Sequence, residues 1–326
     1  MSRPTVVVTR RLPDSIEAQL QEHFDVHLNR TDTPLSATAL ADALRLADGV
    51  LCTVTDRFTA QHFAVPARRA KVLANFGVGV NHIDLAAARA AGIIVTNTPG
   101  VLTDDTADVA LALILMTLRR LGEGERLLRT GSWSGWRPTF MLGHSPRDKM
   151  LGIVGYGRIG RALARRAHDA LGMHVQWWAP RDPKVDGPED AGPESATRVD
   201  SLEALLRTSD VVSLHCPSTA DTRHLLNAER LRLMPPHAVL INTARGDIVD
   251  EHALVQALRD RTIAGAGLDV YEFEPTVLPD LRDFEQVVLL PHMGTSTMET
   301  RVAMGESALR NLQAALAGDE PPDRVA

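Results

Sequence analysis

The stretch "LGIVGYGRIGRALARRAHDALGMHVQWWAPRD", residues 151–182, decides the fold of this 326-residue chain. An apolar strand runs into Gly155-x-Gly157-x-x-Gly160, and a helical pattern follows. In that context Gly155 permits a tight turn, Gly157 lets the backbone approach a pyrophosphate, and Gly160 lets the helix pack on the sheet. The helix start then offers free N–H groups to phosphate oxygens. An acid is expected about 20 residues on, to hold a ribose hydroxyl. Here the second strand ends Trp177-Trp178-Ala179-Pro180-Arg181, with no acid at its tip and an arginine just beyond.

Working outward, the first hundred residues alternate short apolar strands with helices. "TVVVT" (5–9), "DGVLCTV" (48–54), the start of "AKVLANFGVGV" (70–80) and "IIVTNTPG" (93–100) read as strands. "DSIEAQLQEHF" (14–24), capped by Asp14, and "IDLAAARAAG" (83–92) read as helices. Apolar strands alternating with helices imply a parallel sheet covered on both faces. One long helix is expected from Asp105 to about Thr130, with the apolar run 109–118 buried between domains, and a Gly/Trp/Pro-rich loop after it. Residues 182–198 read as a surface loop. The fold class is therefore α/β: two doubly wound parallel-sheet domains, Rossmann-like and flavodoxin-like, with an active-site cleft between them. Residues 101–296 form the expected dinucleotide-binding domain. Residues 1–100 plus 297–326 form a discontinuous substrate-binding domain.

Composition narrows the function. The chain is 44% apolar and 23% charged with a net charge of −6, which argues against a nucleic-acid surface. The run at 109–118 is half the ~20 residues a membrane span needs, and a three-valine run near the start is too short for a signal-peptide core. The two cysteines, Cys52 and Cys216, make neither a disulfide framework nor a zinc cluster. The expectations are a cytoplasmic protein with no metal, no membrane and no nucleic acid.

Three strand ends carry the chemistry. "NTARGDIVD" (242–250) places Arg245 in a turn, "GLDVYEFEP" (267–275) places Asp269 at a strand end with Glu274 beyond it, and "LLPHMGTST" (289–297) places His292 before a glycine turn. Arginine offers a planar fork to a carboxylate. A histidine beside a carboxylate is oriented and made a better proton donor. His23, His27, His62 and His168 read as helix or surface residues. His215 reads as shaping the adenine pocket, and Trp177 and Trp178 as strand core.

With these motifs in place, the chain resembles the D-isomer-specific 2-hydroxyacid dehydrogenase family. The similarity runs through "NFGVGVNHID" (75–84), "GIIVTNTPGVLTDDTADVAL" (92–111), "LHCPSTADTRHLLN" (214–227), "LINTARGDIVDEHAL" (240–254) and "AGAGLDVYEFEP" (264–275). The "GSWSGWRP" arm and the non-acidic tip after Trp178 are most similar to the glyoxylate/hydroxypyruvate reductase subgroup. The resemblance implies that Arg245 binds the substrate carboxylate and carbonyl, that His292 donates the proton and that Glu274 orients His292. It implies that the Val78 and Gly79 amides hold the carboxylate. Thr106, Arg158, Ile159, Cys216, Pro217, Thr222, Thr243, Ala244 and Asp269 would line the cofactor. Ending at Ala326, the chain is expected to lack the regulatory domain of the longer phosphoglycerate dehydrogenases. At position 179 an acid would repel the 2′-phosphate of NADP. Alanine removes that repulsion, and Arg181, with Lys184 near it in sequence, can meet the phosphate. NADP is thus the expected cofactor, with NAD as the weaker one. The arm at 122–145 implies a homodimer. Two other readings stay open: a corepressor-like, dinucleotide-sensing interaction protein, and a dehydrogenase of a larger D-2-hydroxy acid.

Overall fold

The computed structural model describes residues 3–182 and 191–326, and its internal contacts divide the chain into two compact units. One comprises Met1–Leu102 with Thr295–Ala326, the other Thr103–Gly294.

In the first unit the chain runs β1 (Thr5–Val8), α1 (Asp14–His23), β2 (Asp25–Leu28), α2 (Ala37–Leu46), β3 (Gly49–Thr53), α3 (Ala60–Phe63), β4 (Val72–Phe76), α4 (Leu85–Ala90) and β5 (Ile94–Thr96). Among the described residues these strands form one parallel sheet, ordered β2-β1-β3-β4-β5. Strand β4 is buried at every residue, as a central strand covered on both faces must be. The C-terminal helix, Met298–Ala317, packs on this sheet. Helix starts follow side-chain chemistry. Ser36 accepts the Ala39 amide at the start of α2, and Asp84 accepts the Ala87 amide at the start of α4. Asp14 does not cap α1, contrary to the sequence expectation. Pro13 takes the cap position and Asp14 is the first helical residue, placed to favour the helix dipole. His62 lies on helix α3, as a helix reading expects, where it is buried and closes a capping box with Thr59.

The second unit runs α5 (Thr103–Leu118), α6 (Leu121–Arg129), β6 (Met150–Val154), α7 (Arg158–Leu171), β7 (His174–Trp178), β8 (Thr197–Arg198), α8 (Leu202–Thr208), β9 (Val211–Leu214), α9 (Ala228–Leu231), β10 (Val239–Asn242), α10 (Glu251–Arg259), β11 (Gly265–Leu268), α11 (Pro279–Asp283) and β12 (Val287–Leu289). The expected single helix over 105–130 is two helices. They break at Arg120, whose left-handed φ of 55° is held by a two-bond ion pair to Glu123 at 2.6 and 2.8 Å. Helix α5 buries one face within this unit, Ala107, Ala110, Leu113 and Ile114 packing against α7 and the sheet. Within the expected surface loop 182–198, Thr197–Arg198 form the edge strand β8; residues 183–190, Lys184 included, lie outside the described residues.

The seven parallel strands of this unit lie in the order β12-β11-β10-β9-β6-β7-β8. Alternate residues serve opposite faces. Val154, Val212, Leu214 and Leu240 pack under α8, α9 and α10, while Leu151, Ile153, Val211 and Ile241 pack under α5 and α7. The chain leaves β6 toward β7 on one side and returns to β9 on the other. That reversal opens a crevice at the carboxyl ends of β6 and β9, the usual ligand position in such sheets.

Candidate active site

At that switch point each glycine of the fingerprint has its own constraint. Gly155 turns the chain at φ +93° and donates its amide to the Trp178 carbonyl at 2.9 Å. A Cβ there would lie 2.5 Å from the Cys216 amide nitrogen, and one on Gly160 would lie 2.4 Å from the Gly155 carbonyl oxygen. Gly157 is different: a Cβ there would meet nothing within 4 Å. Helix α7 begins at this open face with no side-chain cap, and Arg158 and Ile159 are its first residues. The amides at the start of a helix attract anions.

The rim of the crevice is shaped by nearby loops. Cys216 is buried, and burial pushes its thiol up to about 12, so it packs as a neutral group. Burial also pulls His215 down to about 4, and its Nε2 lies 2.8 Å from the Ser213 hydroxyl. Thr222 ties the next loop by donating to the Pro217 carbonyl at 2.7 Å and accepting the Thr219 amide at 2.8 Å. The Thr243 hydroxyl is buried and has no hydrogen-bond partner among the described residues. Such a group calls for one. At the tip of β7, Ala179 is buried, and Pro180, Arg181 and Asp182 are exposed. Asp182 pairs with Arg198, whose guanidinium stands 5.4 Å from the Trp177 ring centroid, with Tyr156 stacked on that ring at 4.6 Å.

The strands β10, β11 and β12 deliver the titratable groups. Asn242 ends β10 and folds the turn after it: its Oδ1 accepts the Ala244 amide at 3.0 Å and its Nδ2 donates to the Arg245 carbonyl at 2.9 Å. Arg245 is thereby set at the head of a 3-10 turn, Gly246–Ile248. Gly246 packs so closely on the next loop that a Cβ would fall 1.8 Å from the Tyr271 carbonyl carbon. Asp269 follows β11, is 1% exposed, and receives the Met293 and Gly294 amides at 2.7 and 2.8 Å. Its backbone oxygen takes the His292 amide at 2.8 Å. This clamp holds His292 at a positive φ of 52°. Thr106, buried on α5, sits beside Gly294.

Glu274 accepts the Tyr271 amide at 3.0 Å through one oxygen and meets His292 Nδ1 at 2.8 Å through the other. Burial pushes the Glu274 carboxyl up, but the His292 hydrogen bond and charge, the Tyr271 amide and Arg245 outweigh it, and the group stays ionised below the usual carboxylate range. An ionised carboxylate only accepts, so Nδ1 carries a proton and Nε2 is left for chemistry. Burial pulls the Arg245 guanidinium down against the fields of Glu274 and Asp247, and it remains charged. The unit thus gathers a desolvated cation and an oriented acid/base histidine.

In the other unit, Val78 and Gly79 lie in the turn after β4. Their backbone amides donate to nothing among the described residues. Asn242, Gly246 and Tyr271 escaped the sequence reading. An asparagine at a strand end reads only as a turn signal, and no local pattern announces a contact between loops 25 residues apart.

Comparison with known proteins places these features in a family. Residues 111–294 match the family "D-isomer specific 2-hydroxyacid dehydrogenase, NAD binding domain". The glyoxylate reductase of Thermococcus litoralis is 40% identical over 327 residues, covering 99% of this chain and 97% of that protein. The one from Thermococcus kodakarensis is 42% identical, covering 99% and 96%. Among solved structures, an NADPH-dependent glyoxylate/hydroxypyruvate reductase from Sinorhizobium meliloti, in complex with NADP and malonate, superposes with a TM-score of 0.84. It is 36% identical, covering all of this chain and 97% of that one.

Proposed function

Since the chain belongs to the D-isomer specific 2-hydroxyacid dehydrogenase family, we propose that it reduces small 2-oxo acids, glyoxylate and hydroxypyruvate foremost, to 2-hydroxy acids. The observation that carries this reading is the 2.8 Å pair of His292 and Glu274 in the same unit as the half-buried cation Arg245. The open face of Gly157, the uncapped start of α7 and the unpartnered Thr243 hydroxyl fit a dinucleotide. When bound, a reduced nicotinamide dinucleotide supplies the hydride. Arg245 binds the substrate carboxylate and polarises the carbonyl, and the Val78 and Gly79 amides bind the carboxylate. Glu274 holds the imidazole, and His292 Nε2 delivers the proton to the former carbonyl oxygen. Carbon gains hydride, oxygen gains the proton, and one C–O π bond is spent.

Three finer statements belong to the same proposal. NADPH is the preferred donor, because Ala179 brings no charge to the strand tip, Asp182 is engaged by Arg198, and Arg181 is exposed with no side-chain partner among the described residues. The protein is a homodimer through the arm at 122–145. Leu128, Trp133, Trp136 and Leu142 are exposed there, Trp136 to 80%, apolar surface that water disfavours. It works in the cytoplasm, where two free, buried cysteines are at home; no described helix is long and apolar enough to cross a membrane. The test is steady-state oxidation of NADPH and NADH with a panel of 2-oxo acids. Turnover with glyoxylate or hydroxypyruvate is expected. Tight cofactor binding without turnover on any of them would overturn the reading.

A further inference from the structure

We propose that Asn75 and Asn97 are positioning residues that aim the Val78 and Gly79 amides at the substrate carboxylate, with His82 fixing the orientation of Asn75. This rests on the reading that those two amides bind the carboxylate.

The argument starts from the peptide plane. In a trans peptide the C=O of one residue and the N–H of the next point in opposite directions, so holding the carbonyl aims the amide. Asn75 lies on β4 and is 1% exposed. Its Nδ2 donates to the Gly77 carbonyl at 2.9 Å and to the Gly79 carbonyl at 3.0 Å, which uses both amide hydrogens. Asn97 Nδ2 donates to the Val78 carbonyl at 3.0 Å. Three successive carbonyls are therefore held by side-chain amides. The Gly77 carbonyl shares its peptide with the Val78 N–H, and the Val78 carbonyl shares its peptide with the Gly79 N–H. Asn75 thus aims the first amide, helped by the Thr98 amide on the same carbonyl at 3.1 Å, and Asn97 aims the second.

Each asparagine is itself held. With both Asn75 hydrogens committed, its Oδ1 accepts from His82 Nε2 at 3.0 Å, so that ring nitrogen carries the proton. The Asn97 carbonyl accepts from Asn311 Nδ2 at 3.1 Å, which anchors it to the C-terminal helix. This network serves no sheet ladder. Its product is a pair of adjacent, unspent N–H donors, the kind of group that holds an anion.

The experiment measures KM for glyoxylate, the inhibition constant of oxalate as an inert carboxylate, kcat, and the dissociation constant of NADPH in four variants. Asn75→Ala and Asn97→Ala should each raise KM and the oxalate constant about tenfold, the scale of one charged hydrogen bond. They should leave kcat within about twofold and NADPH binding unchanged, the pattern of lost ground-state binding. Asn75→Asp should raise both constants further, since it turns acceptors and a negative charge toward two carbonyls and the bound anion. Val78→Pro deletes one amide donor and leaves both asparagines intact. If Val78→Pro, folded by its thermal melt, leaves both constants unchanged, the carboxylate reading itself fails. If Val78→Pro raises them while both alanine variants stay within twofold of wild type, the positioning role fails. A drop in kcat and melting temperature at unchanged KM in the alanine variants would show a purely structural role and also overturn it. Should the buried Asn75→Ala not fold, Asn97→Ala, at a less buried position, carries the test.

Discussion

At the scale of single residues, the site depends on which form of each group its surroundings favour. Glu274 is held ionised by His292, the Tyr271 amide and Arg245 against the pull of burial. A carboxylate with a lowered native pKa contributes stability above its unfolded value and loses it as pH falls through the native one. The His292–Glu274 pair should therefore persist as pH falls through the usual carboxylate range and fail only below it. Glu274→Gln should move the alkaline branch of the kcat/KM profile to lower pH and lower kcat, because a neutral amide no longer stabilises the imidazolium that donates the proton. An unchanged pH profile in that variant would remove Glu274 from the mechanism. Arg245→Ala should raise KM for the 2-oxo acid and lower kcat together, which stopped-flow and steady-state kinetics resolve. Arg245, Glu274 and His292 were legible in the sequence because each stands alone in a short motif at a strand end. The residues behind them were not. Asn75, Asn97 and Asn242 act through backbone carbonyls or amides whose positions only the folded turn defines.

Among the elements, the strands were the legible part: β6, β9 and β10 are short runs buried on both faces, bounded by turn residues, and β7 beside them is partly exposed. The break between α5 and α6 was not, because helical periodicity continues across it and a local Arg120–Glu123 ion pair sets the left-handed turn. The end of β9 carries a test of its own. His215 is held neutral, down to about 4 from an ordinary 6.5. The unfolded chain then takes up the proton first, so stability should decline as pH falls from about 6.5 to about 4 and level off below. The loss at this residue should be about 1–3 kcal/mol, discounted for a partly exposed ring. His215→Gln should flatten that part of the stability–pH curve by urea titration; an unchanged slope would contradict the neutral assignment. At the tip of β7, Arg181→Ala should erode the proposed preference for NADPH over NADH by about 1–3 kcal/mol, the scale of a charged hydrogen bond. An unaltered ratio of catalytic efficiencies would show that Arg181 only faces solvent.

For the whole molecule, the exposed apolar arm makes the strongest statement. A cavity of about 280 Å³ lined by Gly124, Leu127, Leu128, Trp133, Phe140 and Met141 opens on it. A second, of about 420 Å³, opens where α5 ends and β10 and β12 begin, away from the crevice that holds Gly157. Neither cavity is lined by Arg245, Glu274 or His292. Sedimentation at micromolar concentration should give a dimer, and Leu128→Glu with Trp133→Ser should shift it toward monomer by placing charge and polarity in a dry contact. A wild-type monomer would refute the dimer, and a dimer indifferent to both substitutions would refute only the arm. The amphipathic signal for this surface was present in the sequence, as two tryptophans among glycines.

The measurement that tests the central claim most directly is glyoxylate reduction by His292→Asn beside the wild type, with NADPH binding followed separately. The wild type should turn over. The variant should bind NADPH as the wild type does while kcat falls at least ~100-fold, the usual loss when a general acid is removed. Turnover near that of the wild type in His292→Asn would contradict the account.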